Sequence, residues 1–360
     1  MGFNRLQPYN DLPPLTALGV NFESIEILRH LSRASRALGE LKGFCDALPC
    51  CGIFTDLLAL KEARDSTAIE DIFPTTDELY AALISGAGSD GPAEQVIAYR
   101  DALLLRWNKW KMPATQNLGA DLVETVHLIT GQNFPVREGQ EKVVRNPANG
   151  VVIYTAPRGY GVLEDKLQQL EAFITNSTLS SLDPLIKLSL IHYQFEAIHP
   201  FTTANGRVGR IINSVYLGRQ GLISYPVLNL SGYLRRYKTA YFQALQQVTD
   251  GRRWLEWTVF LLDGIYESAR LSLRMLLEMQ ALRKQLERHL PQQPNSGELL
   301  RVLLGFPYLT EEFLQRQKLY PGPLSRLSGD LMSTYLYEQR GMGNTLTYIN
   351  RRLVDILETS

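Results

Sequence analysis

The sequence predicts a mostly α-helical chain with one small β-hairpin near its middle and another close to its end. Two observations predict this fold class. Apolar residues recur at intervals of three and four along most of the 360 residues, which is the period of an α-helix. Runs of β-favouring residues around a turn occur in the middle of the chain only at 141–155, and again around the Gly-rich stretch 341–344.

Length and composition indicate a globular chain of about two or three domains. Its 37 basic and 37 acidic residues balance, so the whole chain has no bias toward nucleic acid or anionic membranes. No apolar run approaches the roughly 20 residues that span a bilayer. The first residues lack a signal-peptide core, and Cys45, Cys50 and Cys51 have no zinc-site spacing, so the sequence predicts a cytoplasmic protein with reduced thiols.

The N-terminal part is predicted to be helical. Asn21–Ser24 leads into a first helix, and apolar spacing predicts a second from about Thr55 to Ile69. Near the end of the second helix, Ser66 and Glu70 lie four residues apart and therefore share one face. By spacing alone, Glu70 also fits an ordinary surface carboxylate.

Gly86–Gly91 has the G-x-G-x-x-G spacing of dinucleotide-binding loops. That motif requires a preceding strand, whereas a helical pattern precedes this stretch, so it is predicted to be a linker. Further helices are predicted at about 93–112 and 117–131. Glu141–Arg145 and Val151–Thr155 then flank a turn cluster, which predicts a hairpin.

The most informative stretch is the loop 199–204 between two predicted helices. Asp183 and Pro184 provide an N-cap and a first-turn proline for the first helix, and Pro200 stops it. Apolar spacing from Val208 predicts a second helix that ends at Gly221.

The chemistry of this loop points to an anionic substrate. The second helix begins around Asn205 and Gly206, where unpaired backbone N–H groups attract anions. Arg207 and Arg210 add two permanent cations on one face of the first turn. His199 supplies a titratable base. The alternative, a core histidine with a turn and two surface arginines, explains each residue separately but not their combination.

After the loop, a helix is predicted with Ser231 as its N-cap, followed by helices over about 252–290 and a linker at Leu290–Gly297. Leu309–Leu314 and Leu324–Gln339 then predict two helices before the hairpin that ends in Thr347–Ile349. This order is typical of a winged helix. Its acidic and basic residues balance, so a DNA partner and a protein partner are both left open.

The loop resembles the signature of the Fic family, His-x-Phe-x-(Asp/Glu)-Gly-Asn-Gly-Arg-x-x-Arg. The matching residues are His199, Phe201, Asn205, Gly206, Arg207 and Arg210. Ala204 replaces the first glycine, as in the related Doc branch. Thr203 replaces the acidic residue that would hold Mg²⁺, and a neutral hydroxyl is a poorer ligand for this hard ion.

The resemblance implies a protein adenylyltransferase that moves AMP from ATP to a Ser, Thr or Tyr hydroxyl of a target protein, with Mg²⁺ or Mn²⁺. It implies His199 as the catalytic base and weak metal binding at Thr203. The residues implied for ATP binding are Thr203, Ala204, Asn205, Gly206, Arg207, Val208, Gly209 and Arg210. The hairpin strand Val151, Val152, Ile153 and Tyr154 resembles the family's target-docking flap, which pairs main chain with the target.

Ser66 and Glu70 resemble the inhibitory motif (Ser/Thr)-x-x-x-Glu-(Gly/Asn), with Asp71 departing at the last position. The resemblance implies that Glu70 pairs with Arg210 and occupies the place of a nucleotide γ-phosphate. It divides the chain into a helical region with the inhibitory helix (1–100, helix about 55–71), a Fic core with a flap (101–290, flap about 141–156) and a winged helix (296–360).

Two alternatives stay open beside the autoinhibited transferase. One is a catalytically weak or inactive core that senses nucleotide and acts through the winged helix. The other is a Fic/Doc-type transfer of another nucleotide or of a phosphate. The oligomeric state, monomer or homodimer, also stays open.

Overall fold

The computed structural model describes residues 3–48, 51–86, 91–110, 118–145, 150–290, 295–318, 324, 335–340 and 346–359. The mostly helical fold with a small hairpin is confirmed. The helices of the first half are α1 (Ile25–Ala47), α2 (Cys51–Ile69), α3 (Thr76–Ser85), α4 (Pro92–Trp110), α5 (Leu118–Thr130) and α6 (Val162–Thr175). Those of the second half are α7 (Pro184–Ile198), α8 (Asn205–Arg219), α9 (Leu230–Arg236), α10 (Lys238–Gly251), α11 (Trp254–His289), α12 (Ser296–Gly305), α13 (Glu311–Arg316) and α14 (Arg351–Glu358).

The centre of the fold is the pair of α7 and α8, which contact each other and are joined by the loop 199–204. Asp183 caps α7 by accepting a hydrogen bond from the Leu185 N–H at 2.8 Å, as predicted, and Pro184 occupies the first turn. Nearly every residue of α7 is buried. The long helix α11 closes this core, where the Trp257 indole N–H donates to the Ser189 carbonyl at 2.7 Å.

Helix α2 is also buried on almost every side, because it packs against α4, α9 and α12. The C-terminal helix α14 contacts it directly. Lys61 Nζ donates to the Leu357 carbonyl at 2.8 Å, and Arg64 forms an ion pair with Glu358. Helix α2, which ends just before Glu70, therefore lies between the core and the C-terminal elements.

The strands form two small antiparallel sheets. In the first, β1 (Val143–Arg145) pairs with β2 (Val152–Thr155), with Val144 opposite Tyr154 and an irregularity before Arg145. The second joins β3 (Tyr308–Leu309), β5 (Leu346–Ile349) and β4 (Tyr337–Arg340), with β5 in the centre. Among the described residues, none of the helices has both the length and the apolar composition needed to cross a bilayer.

Several element predictions were wrong in detail. Helix α2 begins at Cys51 rather than Thr55. Asn229 rather than Ser231 caps α9, because the Asn229 side chain accepts from the Gly232 N–H while the Ser231 hydroxyl binds the buried Glu62 carboxylate. Residues 337–339, predicted as the end of a helix, belong to β4.

Other predictions fall partly outside the described residues. They are the turn of the first hairpin at 146–149, half of the linker predicted at Leu290–Gly297 (residues 291–294), most of the helix predicted from Leu324, and the turn at 341–344. The end of that predicted linker, Ser296 and Gly297, belongs to α12. In the glycine-rich linker, Gly86 ends α3 in a left-handed conformation (φ +62°), and residues 87–90 lie outside the description.

Candidate active site

Two left-handed residues shape the loop between α7 and α8. His199 ends α7 with φ +49°, and Ala204 precedes α8 with φ +62°. The Asn205 side chain closes the loop, because it accepts from the Phe201 N–H at 2.9 Å and donates to the Phe201 carbonyl at 2.8 Å. An alanine in this conformation costs about 1–2 kcal/mol that a glycine would not. The loop is thus fixed internally, with His199 and the start of α8 at its ends.

His199 is held as a neutral base. Its ring Nδ1 lies 3.3 Å from the Glu196 carbonyl oxygen, which can only accept a hydrogen bond, so Nδ1 carries the proton and Nε2 has the lone pair. Burial, together with the cations Lys142 and Arg137, lowers the pKa of His199 to about 3. The imidazole is therefore unprotonated at neutral pH, with its lone pair at Nε2.

Arg137 is a buried guanidinium that fixes the loop and that the sequence did not indicate. It donates to the His199 carbonyl from Nη2 at 2.6 Å and from Nε at 2.9 Å, and to the Gln140 carbonyl at 2.7 Å. Its own N–H donates to the Pro200 carbonyl at 2.9 Å. These bonds attach the segment before the hairpin to the backbone of the histidine, so Arg137 is a positioning residue.

Glu70 bridges the two arginines at the start of α8. Its Oε2 lies 2.8 Å from Arg207 Nε, and its Oε1 lies 3.0 Å from Arg210 Nη2. Ser66 completes the contact, since Arg210 Nε donates to its hydroxyl at 2.7 Å and Nη2 to its carbonyl at 3.0 Å. Both guanidinium groups are almost completely buried, so the carboxylate neutralises charges that water does not reach.

Asp71 departs from the Gly/Asn of the inhibitory pattern, and the structure explains why it is tolerated. The residue is left-handed, with φ +63°, directly after the last turn of α2. Glycine, asparagine and aspartate are the residues that adopt this conformation most readily. The exposed Asp71 carboxylate lies 2.7 Å from Lys238 Nζ.

A buried network of polar side chains lies near Arg210. The His192 imidazole accepts from Asn213 at Nδ1 and lies 2.9 Å from the Tyr241 hydroxyl at Nε2. Burial, with Arg210 nearby, lowers the pKa of His192 to about 3, so this histidine is neutral. Burial raises the pKa of Glu196, on the same helix, to about 7.

Not every residue implied for ATP binding presents its side chain to a ligand. Val208 is fully buried, and its N–H donates to the Ala204 carbonyl at 3.0 Å. A Cβ on Gly209 would lie 2.6 Å from Glu196 Oε1, so Gly209 serves close packing of α7 and α8. A Cβ on Gly206 would lie 2.8 Å from Arg210 Nη1 and 3.1 Å from Glu70 Oε1. Gly206 therefore leaves room for the ion pair.

This loop fits a divalent cation poorly. Thr203 offers a half-buried neutral hydroxyl at the position where the signature has an acid. Across the described ranges, no group of three or more His, Cys, Asp or Glu side chains is arranged to hold a metal ion. Mg²⁺ prefers carboxylate and phosphate oxygens. Among the described residues, this loop thus supplies few ligands for the metal that the resemblance implies.

The hairpin lies beside the loop. Lys142 Nζ, just before β1, donates to the Thr202 carbonyl at 2.9 Å. The Tyr154 side chain is buried and donates to the Ala197 carbonyl at 2.6 Å, so it anchors the hairpin and faces away from any target. Val151 is 55% exposed, and Val152 and Ile153 are half-buried. Thr155, at the end of β2, accepts from the Tyr9 N–H of the N-terminal segment at 3.1 Å.

Family models match both parts of this site. A model described as Fic/DOC family N-terminal matches residues 28–105, which include α2 and Glu70. A model described as Fic/DOC family matches residues 117–217, which include the hairpin, His199 and both arginines. This is a Fic/DOC family protein.

The Fic fold recurs in solved structures. A Fic family protein from Desulfovibrio desulfuricans covers 91% of this chain and 96% of its own, with a TM-score of 0.55 and 18% identity. Fic-1 from C. elegans covers 72% of this chain and 74% of its own, with a TM-score of 0.52 and 18% identity. At these identities the likeness establishes the Fic fold and nothing about substrates.

The sequence matches to curated relatives cover a smaller part of this chain. Proteins named protein adenylyltransferase Fic, from Drosophila virilis and Drosophila willistoni, are each 28% identical over 131 residues, which is 36% of this chain. The match covers 25% and 24% of their own lengths, so this Fic chain aligns with about a quarter of each relative.

Proposed function

We propose that this Fic protein transfers AMP from ATP to a hydroxyl side chain of a target protein, and that Glu70 holds it inactive. The observation that supports this proposal is the bridge from one carboxylate to both Arg207 and Arg210. A carboxylate bound to two buried guanidinium groups at a helix N-terminus occupies the kind of site that binds phosphates. Removal of the carboxylate would leave that site for a triphosphate.

In the proposed reaction, ATP phosphates bind the N–H groups of the first turn of α8 and the guanidinium groups of Arg207 and Arg210. The target hydroxyl gives its proton to His199 Nε2, its oxygen forms a bond to the α-phosphorus, and the bond to the β-phosphate oxygen breaks. Pyrophosphate leaves. The positive charges stabilise the charge that develops on the leaving phosphates, so the protein acts through positioning and electrostatics. A divalent cation, when bound, supplies further phosphate neutralisation.

The class of transfer is tested with two forms of ATP. The Glu70→Gly protein is incubated with ATP labelled at the α-phosphate or at the γ-phosphate, and the label on protein is counted. We expect label only from the α position, with a mass increase equal to AMP. Label only from the γ position would instead support transfer of a phosphate, and label from neither would leave a nucleotide-sensing core.

Thr203 favours a second candidate, a weakly active or inactive nucleotide sensor that acts through its C-terminal elements. We expect Thr203→Asp, made in the Glu70→Gly protein, to raise the rate of AMP incorporation about 100-fold and to lower the Mg²⁺ concentration needed, because a carboxylate replaces a neutral ligand. Thr202→Asp, one residue earlier and exposed, is the matched control. If Thr203→Asp changes neither the rate nor the metal requirement, the threonine does not limit catalysis.

The low pKa of His199 predicts the pH dependence. Its base form is present at any pH well above about 3, so kcat/KM of the Glu70→Gly protein should stay nearly constant from about pH 8 to about pH 5.5. An ordinary histidine, with a pKa of about 6.5, would lower it about 10-fold over that range. Such a decline centred near pH 6.5 would contradict the assignment. The same shift contributes stability above about pH 6.5 that is lost as the pH falls toward 3.

A further inference from the structure

A cavity lies on the side of α2 opposite Ser66 and Glu70. It has a volume of about 490 Å³, and its walls come from α2, the segment after it, and α9 to α11. On α2, the lining residues are Lys61, Asp65 and Ala68. Residues of an α-helix are about 100° apart around the axis, so these three lie on the face opposite Ser66 and Glu70. The cavity is therefore separate from the site at Arg207 and Arg210.

Basic side chains dominate the cavity. Arg235, Arg236, Lys238 and Lys61 line it, against the two carboxylates of Asp65 and Asp71. Asp65 is already engaged, since it lies 3.0 Å from Arg235 Nε and accepts from Asn229 Nδ2 at 2.7 Å. An excess of cations over acids in a concave wall favours an anion.

The other cations of the cavity, Arg236, Lys238 and Lys61, form weaker contacts than Arg235. Arg236 lies 3.6 Å from the exposed Glu267 carboxylate, and Lys238 is paired with Asp71, which is 76% exposed. Such solvent-exposed pairs contribute little free energy, so an incoming anion displaces them at low cost. Lys61 donates to a neutral carbonyl, and burial lowers its pKa, so a negative charge nearby would be favourable for it.

Part of the cavity lining is apolar. It comes from Phe73, which is 62% exposed, and from Ala68 and Leu271. A volume of this size is typical of sites for small molecules, which combine apolar walls with a few placed charges. Guanidinium and ammonium groups together suit the several oxygens of a phosphate better than a single carboxylate.

We infer that this cavity binds a phosphate-bearing small molecule, with the phosphate on Arg235, Arg236 and Lys238 and the rest of the ligand against Phe73. The site is distinct from the proposed ATP site and does not depend on the proposed transfer. Two kinds of ligand carry such a phosphate, an inorganic phosphate compound and a nucleotide. The apolar part of the lining favours the nucleotide.

The test is calorimetric titration of the full chain, with Glu70 in place, by two probes, pyrophosphate and AMP. The cavity variant carries Arg236→Gln and Lys238→Gln and therefore lacks two cations of the cavity that lie at the surface. The matched control, Arg219→Gln with Lys284→Gln, removes one arginine and one lysine from exposed positions outside the cavity. Circular dichroism and urea unfolding check that each protein folds, and Arg236→Gln alone replaces the double variant if that protein does not.

For each probe, we expect the control to bind as tightly as the wild-type chain. The cavity variant should bind each probe at least about 10-fold more weakly for each charge removed. Tighter binding of AMP than of pyrophosphate identifies a nucleotide, whereas equal or weaker binding of AMP identifies the phosphate alone as the recognised group. Equal binding by the cavity variant and the wild type, or no binding of either probe by the wild type, overturns the inference. Because no turnover is measured, these outcomes are independent of whether the chain transfers AMP.

Discussion

Replacement of Glu70 by glycine is expected to raise self-modification by ATP about 100-fold. In the proposed reaction, ATP phosphates have to displace a carboxylate that bridges Arg207 Nε at 2.8 Å and Arg210 Nη2 at 3.0 Å. A hydrogen bond between charged groups, such as the one that Arg210 Nη2 donates to Glu70 Oε1, contributes about 1.5–3 kcal/mol, and the upper value is about 100-fold in occupancy. The measurement is the mass of the purified protein after incubation with ATP and Mg²⁺ or Mn²⁺, followed over time.

The control for this experiment is Glu26→Gly, which makes the same substitution in the first turn of α1 at an exposed site. It should leave the rate at the wild-type value. We also expect Glu70→Gly to unfold at a lower urea concentration, because two buried guanidinium groups lose their counter-charge. Unfolding changes without any gain of AMP, at every metal concentration tried, would show that Glu70 stabilises the fold without restraining catalysis.

Replacement of His199 by alanine in the Glu70→Gly protein is expected to lower AMP incorporation by about 10²–10⁴-fold, the usual contribution of a positioned general base. The structure holds this imidazole neutral, with its Nδ1 proton directed to the Glu196 carbonyl. Nucleotide binding should persist, because Arg207 and Arg210 are unchanged. The rate is followed by mass spectrometry and the binding by calorimetry.

His127→Ala is the matched control for the second experiment, since His127 is an exposed histidine in the last turn of α5. It should change neither rate nor binding. A His199→Ala protein that retains the full rate would assign the proton transfer to another group. One that loses nucleotide binding as well would make the histidine part of the binding site.

Much of the fold follows from local signals in the sequence. Asp183, Pro184 and Pro200 mark the limits of α7 because their backbone preferences do not depend on distant contacts. The helix α6 was not predicted, although Leu163, Leu167 and Leu170 recur at helical spacing. The glycines before it, left-handed at Gly159 and Gly161, resemble loop residues and hide its start.

The site was less accessible to sequence reasoning than the fold. The signature brings His199, Arg207 and Arg210 to one loop because they are close in the chain. Arg137 gave no signal, since its partner in the loop, the His199 carbonyl, lies 62 residues away along the chain and is a backbone group that every residue has. That Glu70 contacts Arg207 as well as Arg210 depends on the packing of α2 against α8, which no local pattern specifies.

The contacts of α2 with α8, with the cavity and with α14 have a thermodynamic consequence. One face of this helix binds the arginines of α8, the opposite face lines the cavity, and Lys61 and Arg64 bind the end of α14. If the chain binds ATP as proposed and a ligand in the cavity as inferred, linkage requires reciprocity: the factor by which the cavity ligand changes the affinity for ATP equals the factor by which ATP changes the affinity for that ligand. The same equality would hold for a partner that binds α14 and separates it from α2. The coupling between two ligands therefore has one value, whichever ligand is added first.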